Sequence, residues 1–260
     1  MKKPLISIVT VSLNTKNKLI KTLKNLNQQN KKLFELIIID GKSTDGSVQL
    51  IKNNYKWVSN LIVESDKGIY DAMNKGIHHA QGEWLCFMNS GDIFSNKNFL
   101  NSIKKKLIKL KDQDVIYGNT IVDYKYTRGF RAAKIMNSST YLMPFNHQSV
   151  FVKTNLAKKN IFNIKYKIAS DFNFFYHLFI LGKKFCKINK TFSIVESGGF
   201  SDKSRFRTLN EYKNIKKRYH KSISVDFFYF LIFIFFNINF LIKKILPKFL
   251  IKKITKIKNL

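Results

Sequence analysis

The sequence predicts an α/β fold with a doubly wound, mainly parallel sheet, followed by a C-terminal helical tail. Two observations predict the sheet. Through the first 92 residues, short runs of β-branched and other apolar residues alternate with segments whose apolar residues recur at helical spacing. Turn-forming Asp and Gly residues follow several of these runs. Strands that alternate with helices in this way favour parallel pairing, because a parallel connection needs a crossover segment.

Each element of the first half follows from its local pattern. The run Leu5–Val11 is compact and β-branched, as in a strand buried on both faces. In the first helix, Leu19, Leu23 and Leu26 recur at helical spacing. The predicted strands are residues 5–11, 36–39, 61–63 and 84–88, and the predicted helices are 17–29, a short one around 48–51, and 69–80.

The second half is less regular, and the tail differs from both halves. Strands are predicted at 115–118, 149–152 and 192–195, helices at 171–181 and 205–221, and a flexible loop at 197–201. With 260 residues, 45% of them hydrophobic, the chain can bury the core of one domain of ordinary size. We therefore expect a domain over residues 1–222, with halves 1–119 and 120–222, and a tail over 223–260.

The tail combines an apolar stretch with a basic one. Residues 227–236 are almost wholly apolar, and the apolar pattern resumes at 240–242 after two asparagines. This length is borderline for a membrane span, which needs about 20 apolar residues. Seven lysines then alternate with Leu and Ile: Lys243, Lys244, Lys248, Lys252, Lys253, Lys256 and Lys258. The pattern predicts a helix lying at a membrane surface; the alternative is a core helix of an oligomer interface.

The net charge of +31 comes almost entirely from lysine. Only five residues are arginine: Arg128, Arg131, Arg205, Arg207 and Arg218. Proteins that read nucleic-acid sequence rely on arginine, and no motif of that class is present, so nucleic acid is not an expected partner. Such a charge favours anionic lipid head groups and diphosphates. Cys86 and Cys186 lie far apart without metal-type spacing, which fits a reduced cytoplasmic setting.

Three acids mark one edge of the predicted sheet. Asp40, Asp66 and Asp92 each follow a predicted strand, and ligands of open α/β sheets bind outside the carboxyl ends of the strands. Asp92 offers the hard oxygen that a divalent cation needs, Asn89 can add an amide oxygen, and Gly91 allows close backbone approach. The alternatives remain open: Asp40 is equally suited to a turn, and Asn-Ser-Gly-Asp is a common turn sequence.

Four motifs together resemble family 2 glycosyltransferases with the Rossmann-like GT-A fold. They are Val9–Asn14, Ile39–Ser47, Glu64–Gly76 and Asn89–Asp92, and their order and spacing are highly specific. The resemblance covers residues 4–205 and leaves out the tail. It is closest to a subgroup that builds bacterial surface polysaccharides such as colanic acid, O-antigen and capsule.

The resemblance implies a site for a nucleotide sugar. Its donor-binding residues would be Thr10, Asp40, Asp66, Asn74, Lys75, Asn89 and Gly91. Asp92 would occupy the family's Asp-x-Asp metal site and bind Mn²⁺ or Mg²⁺. The chain departs from the family there, because Asn89 and Gly91 stand where carboxylates often occur. Asp92 would therefore hold the metal nearly alone.

The resemblance also implies a catalytic base and an acceptor side. Asp171 is similar in position to the family's catalytic aspartate, although by itself it fits an acid at a helix N-terminus. His147 and Gln148 resemble a subgroup feature near the acceptor; the alternative for His147 is a histidine with ordinary structural partners. Residues 198–201 would form a lid, with Lys203 or Arg205 adding charge.

These implications combine into one expectation. The chain would be an inverting, metal-dependent glycosyltransferase that moves a hexose from a nucleotide sugar, UDP-linked, to a lipid-diphosphate saccharide. It would act at the cytoplasmic face of the bacterial inner membrane, as a peripheral or tail-anchored protein. The alternative function is an inactive GT-A domain that serves as a membrane-bound scaffold for polysaccharide assembly.

Overall fold

A nine-stranded sheet organises the first 199 residues in a computed structural model that describes residues 3–124, 126–198, 204–220 and 223–245. The strands are β1 Ile6–Ser12, β2 Phe34–Asp40, β3 Asn60–Val63, β4 Trp84–Phe87, β5 Ile93–Phe94, β6 Val115–Asp123, β7 Arg128–Arg131, β8 Val150–Lys153 and β9 Phe185–Glu196. They lie in the order β3-β2-β1-β4-β8-β6-β9-β5, and β7 pairs with β6.

Six α-helices accompany the sheet in the part of residues 3–198 that the structure describes. They are α1 Lys16–Asn27, α2 Ser47–Asn54, α3 Ile69–His79, α4 Phe99–Lys109, α5 Thr154–Lys159 and α6 Ser170–Ile180. Two short 3₁₀ helices lie at Lys31–Leu33 and His147–Ser149. All the helices predicted in the first half are confirmed, within a few residues at their ends.

The first half of the sheet is parallel, as predicted. β1 pairs in parallel with β2 and β4, and β2 pairs in parallel with β3. Every residue of β1 and β2 is buried, because helices cover both faces. Ser12 lies opposite Asp40, and Asp40 opposite Val63, so these strands end at one edge. That edge carries the predicted acids.

The second half is mixed, so the prediction of a mainly parallel sheet is wrong there. β8 runs antiparallel to both β4 and β6, and β9 runs parallel to β6 but antiparallel to β5. The cause is the entry into β8: the chain reaches it through a 3₁₀ turn rather than a crossover helix, so it can return in the opposite direction. β6 and β9 are also longer than predicted, since both continue through polar residues.

The core below the site edge is apolar and partly aromatic. From α1, Leu19, Leu23 and Leu26 pack into it, as their spacing predicts. Helix α4, for which the sequence analysis makes no prediction, adds a second buried face: Phe99, Leu100, Ile103 and Leu107. Burying each such side chain contributes about 1.5–3 kcal/mol. This packing fixes α1 against the turn that follows β4.

Residues 200–260 form a second unit. Its described part consists of α7 Arg205–Tyr219 and α8 Ile223–Ile245, which pack together. Lys213 and Lys217 of α7 pair with Asp226 of α8 at 2.7 and 2.9 Å. Among the residues described, no helix is long and apolar enough to cross a membrane. The predicted basic segment beyond residue 245 lies outside the described residues, and the predicted division at residue 222 stays a prediction.

Candidate active site

The turn Asn89–Asp92 is held by a threonine of α1. Thr22 accepts a hydrogen bond from the Gly91 N–H at 2.9 Å, and its own hydroxyl donates to the Asp92 carbonyl at 2.9 Å. Gly91 has φ +103°, a conformation that favours glycine. The Ser90 hydroxyl donates to the Val11 carbonyl, which fastens the turn to the end of β1. The backbone of the turn therefore sets the direction of the Asp92 side chain.

Asp92 is a buried carboxylate with neutral hydrogen-bond donors. It is 7% exposed, and its Oδ2 accepts from Nε2 of Gln148 at 2.9 Å. Burial raises its pKa to about 6, against the lowering effects of the Gln148 hydrogen bond and of His147. Among the described residues it forms no ion pair, although the chain has 47 Lys and Arg. A buried acid without a cationic partner is suited to bind a cation.

Asn89 carries an acceptor that is also unused. Its Oδ1 is buried and has no hydrogen-bond partner, while its Nδ2 lies 3.2 Å from Nε2 of His147. An orphaned amide oxygen and an unpaired carboxylate on one turn fit a hard divalent cation. The described residues contain no cluster of three or more His, Cys, Asp or Glu that could hold a metal. A cation at this turn would therefore need further oxygen ligands, such as phosphate and water.

His147 connects this turn to Asp171. Its Nδ1 lies 3.1 Å from Oδ2 of Asp171, and both side chains are 15% exposed. Asp171 lies in the first turn of α6, where its Oδ1 accepts from the Phe172 N–H at 2.8 Å. The Tyr70 hydroxyl is 3.3 Å from the same oxygen and also contacts the Ile168 carbonyl. One assignment of protons satisfies these contacts: His147 donates from Nδ1 to Asp171 and accepts at Nε2 from Asn89.

The dipeptide His147–Gln148 thus holds two carboxylates at once. His147 contacts Asp171, and Gln148 contacts Asp92. Consecutive Cα atoms are about 3.8 Å apart, so the predicted base and the predicted metal ligand are brought into one site. Both ring nitrogens of His147 have structural partners, as the alternative interpretation states, and those partners are two of the predicted site residues.

The donor edge at β2 and β3 brings Asp40 and Asp66 together. Asp40 is fully buried; its Oδ1 accepts from the Ser43 N–H at 2.6 Å and its Oδ2 from the Ser43 hydroxyl at 2.8 Å. This is the turn arrangement that the sequence left open. Asp66 is half-buried, and its Oδ2 lies so close to Gly41 that a Cβ there would be 2.7 Å away. Asp66 thus lies beside the residue that follows Asp40 and is the more accessible of the two, and their role in donor binding stays a prediction.

Three other predicted donor residues have structural contacts instead. Thr10 is fully buried and donates to the Met88 carbonyl at 2.8 Å. Asn74, 6% exposed, uses both ends of its amide on the backbone of Phe162 at 2.9 and 2.8 Å. Both side chains therefore have structural partners, and their role in donor binding stays a prediction. Lys75 donates to the Ser65 carbonyl at 2.6 Å and so supports the loop that carries Asp66.

Sequence reasoning missed Glu196 and the α1 residues around it. Glu196 ends β9 and pairs with Lys18 at 3.0 Å and Lys21 at 2.7 Å. Burial raises the pKa of Glu196, but the two lysines outweigh it and hold the pKa below its usual value. A cleft of about 390 Å³ is lined by Lys21, Asp123, Glu196 and Ser197.

A signal for this group was present in the sequence. Lys18, Lys21 and Thr22 are three and four residues apart, so they share one face of the predicted helix. Glu196 directly follows a predicted strand, the same position that singled out Asp40, Asp66 and Asp92. Residues 199–201 of the predicted lid, and Lys203, lie outside the described residues.

Two solved structures share this fold. S. aureus TarS in complex with UDP superposes with a TM-score of 0.58 at 20% identity, covering 81% of this chain; this chain spans only 64% of that one. The mannosyltransferase PcManGT from Pyrobaculum calidifontis, in complex with GDP-Man and Mn²⁺, gives 0.63 at 14% identity, covering 86% and 67% of the two chains. The fold is therefore that of a GT-A glycosyltransferase.

Sequence comparison shows the family within this fold class. The profile of glycosyl transferase family 2 matches residues 7–185, and the chain belongs to this family. A curated relative is the PGL/p-HBAD biosynthesis glycosyltransferase of Mycobacterium bovis, 27% identical over 180 residues, which cover 67% of this chain and 69% of the relative. The resemblance seen in the four motifs is confirmed.

Proposed function

We propose that this glycosyltransferase transfers a hexose, with inversion, from a UDP-sugar to a saccharide carried on a lipid diphosphate, in the biosynthesis of a bacterial surface polysaccharide. The observation that carries the proposal is the dipeptide His147–Gln148, which holds Asp171 and Asp92 in one site. A single in-line displacement needs a base on the acceptor side and charge compensation on the leaving-group side. Asp171 would be the base, and Asp92 would hold the cation that compensates the charge on the leaving group.

On the leaving-group side, Asp92 and Asn89 would hold Mn²⁺ or Mg²⁺. When bound, the metal would neutralise charge that develops on the departing nucleoside diphosphate. The unpaired carboxylate of Asp92 and the orphaned Oδ1 of Asn89 support this assignment. The diphosphate itself would complete the coordination, which agrees with so sparse a set of protein ligands.

On the acceptor side, Asp171 would take the proton from the attacking hydroxyl. Its Oδ2 faces His147, whose Nδ1–H keeps the carboxylate in a fixed orientation. The Tyr70 hydroxyl can donate to Oδ1 of Asp171 at 3.3 Å or to the Ile168 carbonyl at 2.6 Å, so it would help to hold the carboxylate.

The donor nucleotide would lie along the edge of β2 and β3. Asp66 is the accessible carboxylate there, and the exposed side chain of Leu13 (52%) lies beside Gly41 as an apolar neighbour. A carboxylate next to an apolar surface suits the polar edge and the face of a nucleobase. TarS binds UDP and PcManGT binds GDP-Man, so the class of donor is supported and the base is our proposal.

A peripheral position at the cytoplasmic face of the inner membrane is proposed from α8. Six of its exposed apolar side chains recur at helical spacing and form one stripe: Phe227, Phe230, Leu231, Ile234, Phe235 and Ile238. Ile223 and Phe233 are also exposed. An exposed apolar stripe on a chain of charge +31 suits the surface of an anionic bilayer. An acceptor carried on a lipid would be met at that surface.

The test is a donor screen with product analysis. Purified protein, Mn²⁺ and a synthetic lipid-diphosphate saccharide are incubated with UDP-, GDP- and dTDP-hexoses, and release of nucleoside diphosphate is measured. We expect release with a UDP-hexose, and NMR of the product should show the anomeric configuration opposite to that of the donor. A retained configuration would refute inversion. No turnover with any donor would favour the inactive scaffold, against which the assembled carboxylates argue.

A further inference from the structure

Glu196 lies directly against the turn that carries Asp92. A Cβ added to Gly91 would come within 3.2 Å of Oε2 of Glu196, so the glycine is what lets this carboxylate approach the turn. The backbone of Glu196 hydrogen-bonds Asp92, and its negative charge acts on Asp92. Two acids from distant parts of the chain, Asp92 directly before β5 and Glu196 at the end of β9, therefore lie near each other.

The cations near these two acids are distributed unequally. Lys18 and Lys21 both pair with Glu196, while Asp92 has no cationic partner among the described residues. Like charges this close are unfavourable unless a cation lies between them or one is neutralised. In this structure the two lysines neutralise the charge of Glu196. Among the described residues, Asp92 has no cation beside it and could still bind one.

We propose that Glu196 is a second carboxylate ligand of the divalent cation, and that Lys18 and Lys21 hold it until the metal and diphosphate arrive. On arrival the partners exchange: Glu196 turns to the metal, and the two ammonium groups turn to the diphosphate. This inference rests on the metal site of the proposed function. Glu196 would thus be the second carboxylate ligand beside Asp92, which the turn itself does not provide because Asn89 and Gly91 stand where carboxylates often occur in the family.

The exchange is physically easy. The side chains of Lys18 and Lys21 are 56% and 37% exposed, and ion pairs at such exposure are weak. Both lysines come from α1, whose Thr22 already holds the metal turn, so they remain beside the diphosphate after release. At Glu196 the divalent cation would replace the two ammonium groups, which would then neutralise the charge of the diphosphate.

The test measures Mn²⁺ binding to the full chain by electron paramagnetic resonance, without and with uridine diphosphate. Glu196→Gln should weaken Mn²⁺ binding at least about tenfold. Lys21→Met should have the opposite effect without nucleotide, since it frees Glu196, and should weaken binding of uridine diphosphate when Mn²⁺ is present. Asp123→Asn, in the same cleft but paired with Arg128, is the matched control and should leave Mn²⁺ affinity unchanged.

The outcomes separate this inference from the proposed function. If Asp92→Asn loses Mn²⁺ and Glu196→Gln binds it as well as the unmodified protein, Asp92 acts without Glu196 and the inference is overturned. If the unmodified protein binds no Mn²⁺ in either condition, the metal site itself fails, and the inference fails with it. Glu196→Asp retains the charge and should recover part of the affinity, which a fold defect in Glu196→Gln would not explain.

Discussion

His147 has a different task from a free catalytic histidine, because both of its nitrogens are occupied. Asn89 fixes the ring from one side and Asp171 receives its Nδ1–H on the other. A histidine so placed orients a carboxylate rather than taking a proton from the substrate. At the scale of single residues, the proposed chemistry therefore rests on the two acids, and each makes a separate prediction.

Asp171→Asn should abolish transfer without abolishing donor binding. The amide keeps the shape and the contact with His147 but cannot accept the proton, and general base catalysis contributes about 10²–10⁴-fold. Nucleoside diphosphate release measures the rate, and titration with uridine diphosphate measures binding. Turnover within a few-fold of the unmodified enzyme would rule out Asp171 as the base.

Asp92 should make the free energy of unfolding depend on pH. Its pKa of about 6 lies above the unfolded value of 3.8, so between these two pH values the folded state binds the proton more tightly. The free energy of unfolding therefore falls as pH rises through this window, by up to about 3 kcal/mol.

The amide variant should remove this dependence. Without added metal, Asp92→Asn should be more stable than the unmodified protein above pH 6, although it loses transfer, because it removes a buried charge. Urea unfolding at pH 4 and pH 7 measures the difference. An equal effect of the substitution at both pH values would contradict the burial argument.

At the scale of elements, α1 contributes more to the site than its amphipathic pattern indicates. Its buried face packs on the sheet. From the same helix, the Thr22 hydroxyl hydrogen-bonds the backbone of the Asn89–Asp92 turn. Lys18 and Lys21, on the same side, reach Glu196. One helix thus supports the backbone of the Asn89–Asp92 turn and supplies two positive charges beside the proposed metal site.

Thr22→Val tests this role of the helix. Valine has nearly the same shape but leaves the Gly91 N–H and the Asp92 carbonyl without their partner, which costs about 1–3 kcal/mol. Mn²⁺ binding in the presence of uridine diphosphate should weaken, because the turn loses its anchor. A suitable control is Thr154→Val, since Thr154 is buried but its hydroxyl has no hydrogen-bond partner. Equal effects of the two variants on metal affinity would show that the clamp does not matter.

The elements also show how far the sequence alone can lead. The parallel half was predictable because each strand and helix has its own apolar period, and the strand-end rule then located Asp40, Asp66 and Asp92. β8 returning antiparallel was not predictable, since its direction depends on a loop with no regular pattern. The backbone contacts of Thr10 and Asn74 were not predictable either, because a pattern of residues does not show which backbone groups a side chain bonds.

The contacts within the candidate site could not be predicted from local sequence patterns either. The pairing of Asp171 with His147 joins residues 24 positions apart, and that of Glu196 with Lys21 joins residues 175 positions apart. Such contacts follow from tertiary packing, so local patterns carry no information about them. The sequence could name Asp171, His147, Gln148 and Asp92 through family resemblance, but their arrangement as one connected group needed the structure.

At the scale of the whole molecule, charge and apolar surface suggest a common partner. The net charge of +31 favours anionic surfaces, and the stripe on α8 offers apolar side chains that would enter a bilayer. Neither feature alone indicates a membrane, because lysines are often solvated and exposed apolar residues are common. Their combination predicts binding that needs both anionic lipid and the stripe.

Replacing Phe227, Phe230 and Phe235 with Ser in the full chain should therefore reduce binding to vesicles. These side chains are 58–60% exposed, so the folded protein loses little packing. Sedimentation with vesicles of phosphatidylcholine and phosphatidylglycerol should show a clear loss, at least about tenfold given the apolar area removed. The control Phe130→Ser removes an equally exposed ring (66%) from β7 and should bind as before. Equal losses in both proteins would mean that α8 is not the membrane contact. In that case the protein would bind by charge alone, and its binding to vesicles should disappear at high salt.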